Sequence, residues 1–449
     1  MTSGRSQPRV NLLEGDIRTT LAALTLPTAL GIVFVIAIDV TDTLWVGLLG
    51  TLELAALSFC FPIIATIMSA SFGLGVGVTS AVARAIGAGD EQRVRRLTSH
   101  GIVLAFVLVA LLAGVGLLVQ RPLFAAMGAE GPLLDAIVEY MTIWLLGAAF
   151  VVVPVVGAAA LRATGEMKAP MWIMFVAALA NGVLDPLFMF GLGPLPALGL
   201  RGAAFASLAS RFITLPATLV LLRRLGMLDF RVVDLGTIVA SWRAILSVGL
   251  PATLTSVLSP LAAALLTTLI AGHGVQAVAA WGVCTRVDSL LMIPLMAIGA
   301  ALTPFIGQNW AAEHDARVRE GVRLASRFAF AWGLLAWLVL GLFGRSVGGL
   351  FSDDAEVVEI IALALLFTPA TYAATGVVIV INAAFNAIDQ AMRGTLISVL
   401  RTFVLSLPLA WLGDAWLGLE GLLLGLVAAA WLSAWIARLL ARSRFAAPA

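Results

Sequence analysis

Residues 50–79 read GTLELAALSFCFPIIATIMSASFGLGVGVT, and residues 274–303 read GVQAVAAWGVCTRVDSLLMIPLMAIGAALT. At one offset of 224 residues, Gly50 falls on Gly274, Ala55-Ala56 on Ala279-Ala280, Cys60 on Cys284, Met68 on Met292, Gly75 on Gly299 and Thr79 on Thr303. The same offset carries Leu26-Pro27 onto Leu250-Pro251 and Thr43 onto Thr267. Further along it carries Arg93-Val94-Arg95 onto Arg317-Val318-Arg319, and Ala160 onto Ala384. Alanine- and leucine-rich sequence matches itself by chance. A single ungapped offset that holds through polar loops does not arise that way, so the chain consists of two similar halves.

Both halves belong in lipid. Of 449 residues 61% are hydrophobic and only 12% are charged, against about a quarter charged in an ordinary soluble chain. The mean hydropathy of +1.05 agrees. A formal net charge of +2 offers no electrostatic footprint for nucleic acid. Cys60 and Cys284 each lie in an apolar run, and His100, His273 and His314 are scattered, so no metal or redox site is expected. The opening segment, with Arg5 and Arg9, lacks the apolar stretch of a signal peptide and reads as a short cytoplasmic tail.

Apolar runs of at least the ~20 residues needed to cross a bilayer fall near 18–49, 53–83, 95–120, 133–158, 169–193 and 200–222. A second set falls near 239–272, 276–307, 320–346, 356–383, 393–413 and 418–440. The expected fold is an all-α integral membrane protein of twelve transmembrane helices, with an N-lobe over 1–225 and a C-lobe over 226–449. Arginines crowd the tails and alternate loops: Arg84, Arg93, Arg95 and Arg96; Arg162 with Lys168; Arg223, Arg224, Arg231 and Arg243; Arg317, Arg319 and Arg323; Arg393; and Arg438, Arg442 and Arg444. The other loops carry Arg121, Arg201 and Arg345 singly, and one of them is acidic (Asp353, Asp354, Glu356, Glu359). The positive-inside rule then places both termini in the cytoplasm. Halves with an even number of spans are parallel and related by an axis along the membrane normal, a pairing that tends to enclose a cavity opening to either side.

Residues that break the repeat are the candidates for function. Asp42 maps onto Leu266, Asn181 onto Leu405 and Asp185 onto Leu409. Asp42 precedes Gly50 by eight residues, and Asp185 precedes Gly193 by eight. Both therefore lie roughly 12 Å below the outer surface at 1.5 Å per residue. Asn181 is one turn before Asp185 on the same face, and Pro186 loosens the backbone beside it. A carboxylate in the membrane is costly unless neutralised, paired or hydrated. Burial disfavours its charged form, so protonation can follow conformation, which is the physical basis of a proton-coupling site. The competing reading is a carboxylate bonded to a buried arginine or to backbone. Asp39, three residues before Asp42, either shares its face or lines a hydrated mouth.

Other charges remain open between two readings. Arg211, inside the sixth span, is either the partner of Asp185 or a cation snorkelling along its helix. Arg286 and Asp288, in the eighth span, pair with each other or across the halves, and the structural reading is the commoner one. Pro27 and Pro251 interrupt the first helix of each half, as a hinge or as a fixed bend. Gly73, Gly75 and Gly77 follow no strand and read as close-packing residues rather than a nucleotide fingerprint.

Several stretches resemble the multidrug and toxic compound extrusion (MATE) family. Residues 42–50 (DTLWVGLLG) look like its first-helix signature, residues 161–170 (LRATGEMKAP) its loop between helices four and five, and residues 181–188 (NGVLDPLF) its fifth-helix signature. Residues 202–207 (GAAFAS) and 307–309 (GQN) fit as well. The resemblance implies two six-helix lobes and export of organic cations or other amphipathic compounds in exchange for protons or sodium, with no cofactor. It assigns Asp42, Asn181 and Asp185 to the N-lobe ion-coupling cluster, Ser207 to a position where relatives often carry threonine, and Pro27 to the first-helix bend. The sodium-coupled branch is matched less well, because neither 251–270 nor 363–385 carries an acid. The chain is more similar to the branch named for the DNA-damage-inducible protein F, for which proton coupling is the usual proposal.

The expected function is therefore a secondary antiporter of the cell membrane, a monomer that exports amphipathic or cationic small molecules against protons. Sodium coupling and a lipid-linked precursor flippase are the alternatives; the flippase would need a strongly cationic cavity, whereas the N-half charges are mostly acidic. A membrane enzyme would need clustered His, Asp or Cys near one interface, which the three separated histidines do not supply.

Overall fold

The computed structural model describes residues 11–191, 196–229 and 234–445; Arg5, Arg9, Gly193 and Arg231 lie outside them. Among the described residues the chain is helical, without strands. The helices are α1 Ile17–Leu49, α2 Thr51–Gly87, α3 Glu91–Ala126, α4 Gly131–Ala163, α5 Lys168–Phe190, α6 Leu200–Arg224 and α7 Leu235–Ala271. They continue with α8 Val275–Leu291, α9 Ile293–Ala311, α10 Asp315–Gly349, α11 Ala355–Phe367, α12 Tyr372–Ala387, α13 Ala391–Val399 and α14 Leu407–Phe445.

These helices make eleven runs long and apolar enough to cross a membrane. Three of the runs are not simple rods. The eighth is α8 followed by α9, broken at Met292, where Pro294 enters the first turn of α9 and supplies no amide proton. The tenth passes from α11 to α12 through a 3-10 turn at Thr368–Thr371 that contains Pro369. The last, Ala391–Arg442, is 52 residues long. It widens into a π-helical segment at Leu400–Ser406, just ahead of Pro408. Proline has no N–H to return and its ring crowds the carbonyl one turn back, so the wider turn there has a local cause.

That last run also turns back on itself. Gly418 is non-helical, at φ 61° and ψ −143°. The backbones at Gly413 and Gly421 press together so closely that a Cβ on either would overlap the other's carbonyl, and Gly425 meets the Leu409 carbonyl in the same way. The two arms therefore fold face to face about Gly418. Gly199, which precedes α6, has nearly the same backbone conformation, φ 55° and ψ −135°.

The repeat is visible in the turns. Gly89 and Gly165 hold left-handed backbone at φ 72° and 82°. At the 224-residue offset stand Glu313 and Asp389, which are the non-glycine residues with positive φ among those described, at 60° and 63°. The second half keeps the turn after losing the residue best suited to it.

The described residues fall into two compact units. One contains Leu30–Thr253; the other contains the chain from Leu254 onward and a stretch ending at Ala29. In the first, Val78, Val82, Val109, Met141, Val152 and Leu161 share a buried core with Cys60. In the second, Ile270, Ala280, Ile361, Leu365 and Leu422 bury Cys284. Gly73, Gly75 and Gly77 act as close-packing residues. A Cβ at Gly75 would sit 3.3 Å from that of Ala159, and Gly73 and Gly77 leave no room against the backbone of Thr253 and Gly249.

Polar caps start the helices. Asp16 accepts from the Thr19 amide at 3.0 Å ahead of α1, and Asp234 from the Thr237 amide at 2.9 Å ahead of α7. Asn309 and Arg317 hold the segment that enters α1. The Asn309 amide donates to the Leu12 carbonyl at 2.9 Å, and the Arg317 guanidinium donates to the carbonyls of Leu12, Glu14 and Gly15. The 161–170 loop closes with the Ala169 amide donating to Glu166 at 3.0 Å.

Candidate functional site

Four helices of the first unit converge on one group of polar side chains. Three of them contribute two residues three or four apart, on neighbouring turns of one helix side. From α1 come Asp39 and Asp42, from α5 Asn181 and Asp185, and from α6 Ser207 and Arg211. The fourth helix, α4, is buried on almost every face and contributes Tyr140.

Small residues let the backbones come close enough. The α carbon of Gly182 faces the Thr41 methyl, 3.6 Å from where a Cβ would stand. Gly202, at the start of α6, lies against the Phe188 carbonyl at the end of α5 and leaves no space for a side chain. The connection is held by the Leu198 amide on Phe188 at 3.0 Å and the Gly199 amide on Met189 at 3.1 Å.

Asn181 and Asp185 are completely buried. The Asn181 amide donates to Asp185 Oδ1 at 3.3 Å, and the Ser207 hydroxyl donates to Asp42 Oδ2 at 3.3 Å. Asp42 also lies within side-chain hydrogen-bonding reach of Asp185 and Asn181. The oxygen count does not close. Asp42 Oδ1, Asp185 Oδ2 and Asn181 Oδ1 are buried acceptors with no donor. Two ionised carboxylates cannot bond each other, whereas one proton placed between them turns an acceptor into a donor and satisfies both.

The remaining residues take positions that the sequence did not settle. Asp39 lies on an exposed face of α1. The charge on Arg211 bears on Asp39 and Asp42, and the structure forms no ion pair between Arg211 and Asp185; α6 aims it toward α1 instead. Arg286 and Asp288 do not pair with each other either. Two residues apart on a helix they point to different sides: Arg286 donates to the Gly282 carbonyl of its own helix at 3.2 Å, and Asp288 receives the Tyr372 hydroxyl. Pro27 and Pro251 leave α1 and α7 continuous. The three histidines are engaged separately, His100 with Ser241 at 3.0 Å, His273 with Asp414, and His314 at the start of α10.

Tyr140 is the residue that sequence reasoning missed. It is 3% exposed, and the charges of Asp42, Asp185 and Asp39 all bear on its ring hydroxyl. The chain has only two tyrosines, and the structure sets each near an aspartate of its own unit, Tyr140 near Asp42 and Tyr372 on Asp288.

A family model, MatE, matches the chain twice, over residues 27–187 and 251–412. The chain belongs to the MatE family. The two matches begin 224 residues apart, the offset of the internal repeat. A Shewanella oneidensis protein named as an FAD transporter is 36% identical over 419 residues, covering 93% of both chains. A probable multidrug resistance protein of Bacillus subtilis, YoeA, is 25% identical over 83% of this chain and 81% of its own. Among solved structures, the Vibrio cholerae MATE transporter VcmN in its bent form superposes with a TM-score of 0.91, at 30% identity, over 95% of this chain and 96% of that one. An outward-facing multidrug resistance MATE transporter gives 0.90 at 27% identity, over 98% and 99%. The protein is therefore a multi-pass membrane transporter of the MATE type.

Proposed function

We propose that this transporter is a secondary antiporter that exports small molecules in exchange for protons by alternating access. The observation that carries the reading is the set of three buried acceptor oxygens on Asp42, Asn181 and Asp185 that lack donors. When the site opens outward, a proton taken up between Asp42 and Asp185 neutralises the pair and removes the counter-charge that holds a cationic substrate. When the site opens inward, the proton leaves and the pair is again a anionic receptor. Arg211, whose charge already bears on Asp39 and Asp42, opposes a second fixed cation there, which favours a proton over sodium. Asp39, on its exposed face, fits a role at the mouth.

Counting the two arms about Gly418 separately gives twelve spans, six in each half, with both termini cytoplasmic by the arginine distribution. The shared backbone conformation of Gly199 and Gly418 supports this, since each then begins the last helix of its half. Pro27 lies two residues ahead of Ala29, where α1 passes from one compact unit to the other. Pro251 lies two residues ahead of the corresponding point in α7. Both positions suit hinges, because a proline removes one backbone bond without ending the helix.

The test is ethidium efflux from proteoliposomes under an imposed pH gradient. Wild type is expected to export and Asp185→Asn to lose that drive. Export by wild type under a sodium gradient alone would overturn the ion. A second reading of the substrate is favoured by the relative named as an FAD transporter, which matches nearly the whole chain. On that reading the exported compound is a flavin dinucleotide, and FAD replaces ethidium in the same assay.

A further inference from the structure

The π-helical segment Leu400–Ser406 carries an arginine, Arg401, the one charged residue between Arg393 and Asp414. Arg401 is ten residues into the helix that starts at Ala391 and two turns beyond Arg393, a depth of about 12 Å past Arg393 at 1.5 Å per residue. In the repeat it stands opposite Ala177, so the second unit holds a cation on the helix whose counterpart in the first unit holds Asn181 and Asp185. Among the described residues Arg401 makes no hydrogen bond and no ion pair. Charged side chains at such depth face a bundle interior or hydrated cavity and find a counter-charge. Among the described residues no counter-charge is bonded to it.

The surroundings within the same unit are polar. One turn before Arg401 on the same helix is Ser398, which accepts from the Asn382 amide of α12 at 3.1 Å. One turn earlier is Thr395, bonded to Thr255 of α7 at 3.2 Å. The Asn382 carbonyl oxygen is buried without a partner, and a flip of that amide would present an N–H instead. The Ser398 hydroxyl itself donates to the Gly394 carbonyl at 3.0 Å, so the polar chain of Thr395, Ser398 and Asn382 is bonded internally and ends one turn before the guanidinium. Pro408 fixes the widened turn, and π-helical turns recur at functional sites because they re-aim side chains. A guanidinium with its donors free matches a phosphate, which it can bond through two parallel N–H groups.

We propose that Arg401, with Ser398 and Asn382 beside it, forms an anion subsite that takes the phosphate group of an amphipathic substrate. The inference rests on the export reading above and narrows its substrate class to phosphate-bearing amphiphiles. A lipid phosphate presents the same chemistry from a different source.

The test is equilibrium binding of flavins to the purified protein in nanodiscs with no ion gradient, read by flavin fluorescence. FMN and riboflavin share a ring and differ by one phosphate. In phosphatidylcholine nanodiscs wild type is expected to bind FMN about ten-fold tighter than riboflavin, the scale of one charge-assisted pair. Arg401→Gln should bring the two affinities within about two-fold, and Arg401→Lys should retain part of the preference. Inorganic pyrophosphate should displace FMN from wild type without displacing riboflavin, a result that requires no variant to fold. A preference present in phosphatidylcholine and abolished by phosphatidylglycerol would assign the same subsite to a lipid phosphate. Equal binding of FMN and riboflavin to wild type in phosphatidylcholine, or a full preference kept by Arg401→Gln, would overturn the proposal. Because no gradient is involved, a failure of pH-driven ethidium efflux would count against the export reading and leave this result to stand on its own.

Discussion

Ser207 on α6 donates its hydroxyl proton to Asp42 on α1 at 3.3 Å, and this bond ties a third helix into the acid pair. Asp42 and Asp185 alone would bridge α1 and α5. With Ser207 the charge state of Asp42 is felt by the helix that also carries Arg211.

Removing that hydroxyl should weaken coupling without abolishing it. In proteoliposomes with a fixed pH gradient, Ser207→Ala is expected to export ethidium about ten-fold more slowly than wild type, the lower end of the about 1.5–3 kcal/mol that one bond to a charged group is worth. Ser207→Thr keeps the hydroxyl and should recover most of the rate. Equal rates for the alanine and threonine variants would remove Ser207 from the site.

The acids of this site were legible because the sequence carries its own control. Leucines 224 residues later show what the scaffold alone requires at those positions. Tyr140 was not legible, since an aromatic residue in an apolar helix looks like core until its neighbours are known. Arg401 was hidden for a related reason: one charge among apolar neighbours barely lowers the hydropathy of a span. Whether Arg211 pairs with Asp185 stayed open in the sequence because helix rotation decides it, and rotation depends on the packing of α5, α6 and α1 together. The pairing of Arg286 with Asp288 contradicts their spacing of two, which no helix places face to face. The long apolar runs were legible from composition, yet the close contact of Gly413 with Gly421 appears only in three dimensions.

Gly418 should tolerate no side chain. Its φ of 61° and ψ of −143° lie in a region that L residues avoid, at a cost of roughly 1–3 kcal/mol. Gly418→Ala is expected to lower thermal stability by that order. Gly199→Ala should behave alike, because φ 55° and ψ −135° describe the same conformation. Melting of the detergent-purified variants, followed by tryptophan fluorescence, checks both, and an unchanged midpoint for Gly418→Ala would contradict the hairpin.

Glu313 offers the opposite effect. It holds φ at 60° where the first half uses Gly89, and its side chain is exposed. Restoring the glycine removes a left-handed penalty of about 1–2 kcal/mol, offset in part by the greater freedom of glycine in the unfolded chain. Glu313→Gly should therefore raise the melting temperature slightly, and Gly89→Glu should lower it.

Asp16 gives the entry to α1 a pH dependence that can be worked out in sign. The Thr19 amide donates to its carboxylate and holds Asp16 below the ordinary carboxylate range. A depressed value in the folded state means that the cap contributes stability above the unfolded value, and that the contribution is lost as pH falls through the folded one. Asp234 is lowered in the same way by Thr237 at the start of α7. Hydrogen exchange at the amides of Thr19 and Thr237 should therefore stay equally protected relative to neighbouring amides from neutral pH down to the ordinary carboxylate range, and lose protection only below it. Asp16→Asn keeps an accepting oxygen but removes the titration, so protection at Thr19 should become insensitive to acid while Thr237 still responds. If Thr19 lost protection at the same pH in wild type and in the variant, fraying of the helix end rather than the Asp16 carboxylate would be the cause.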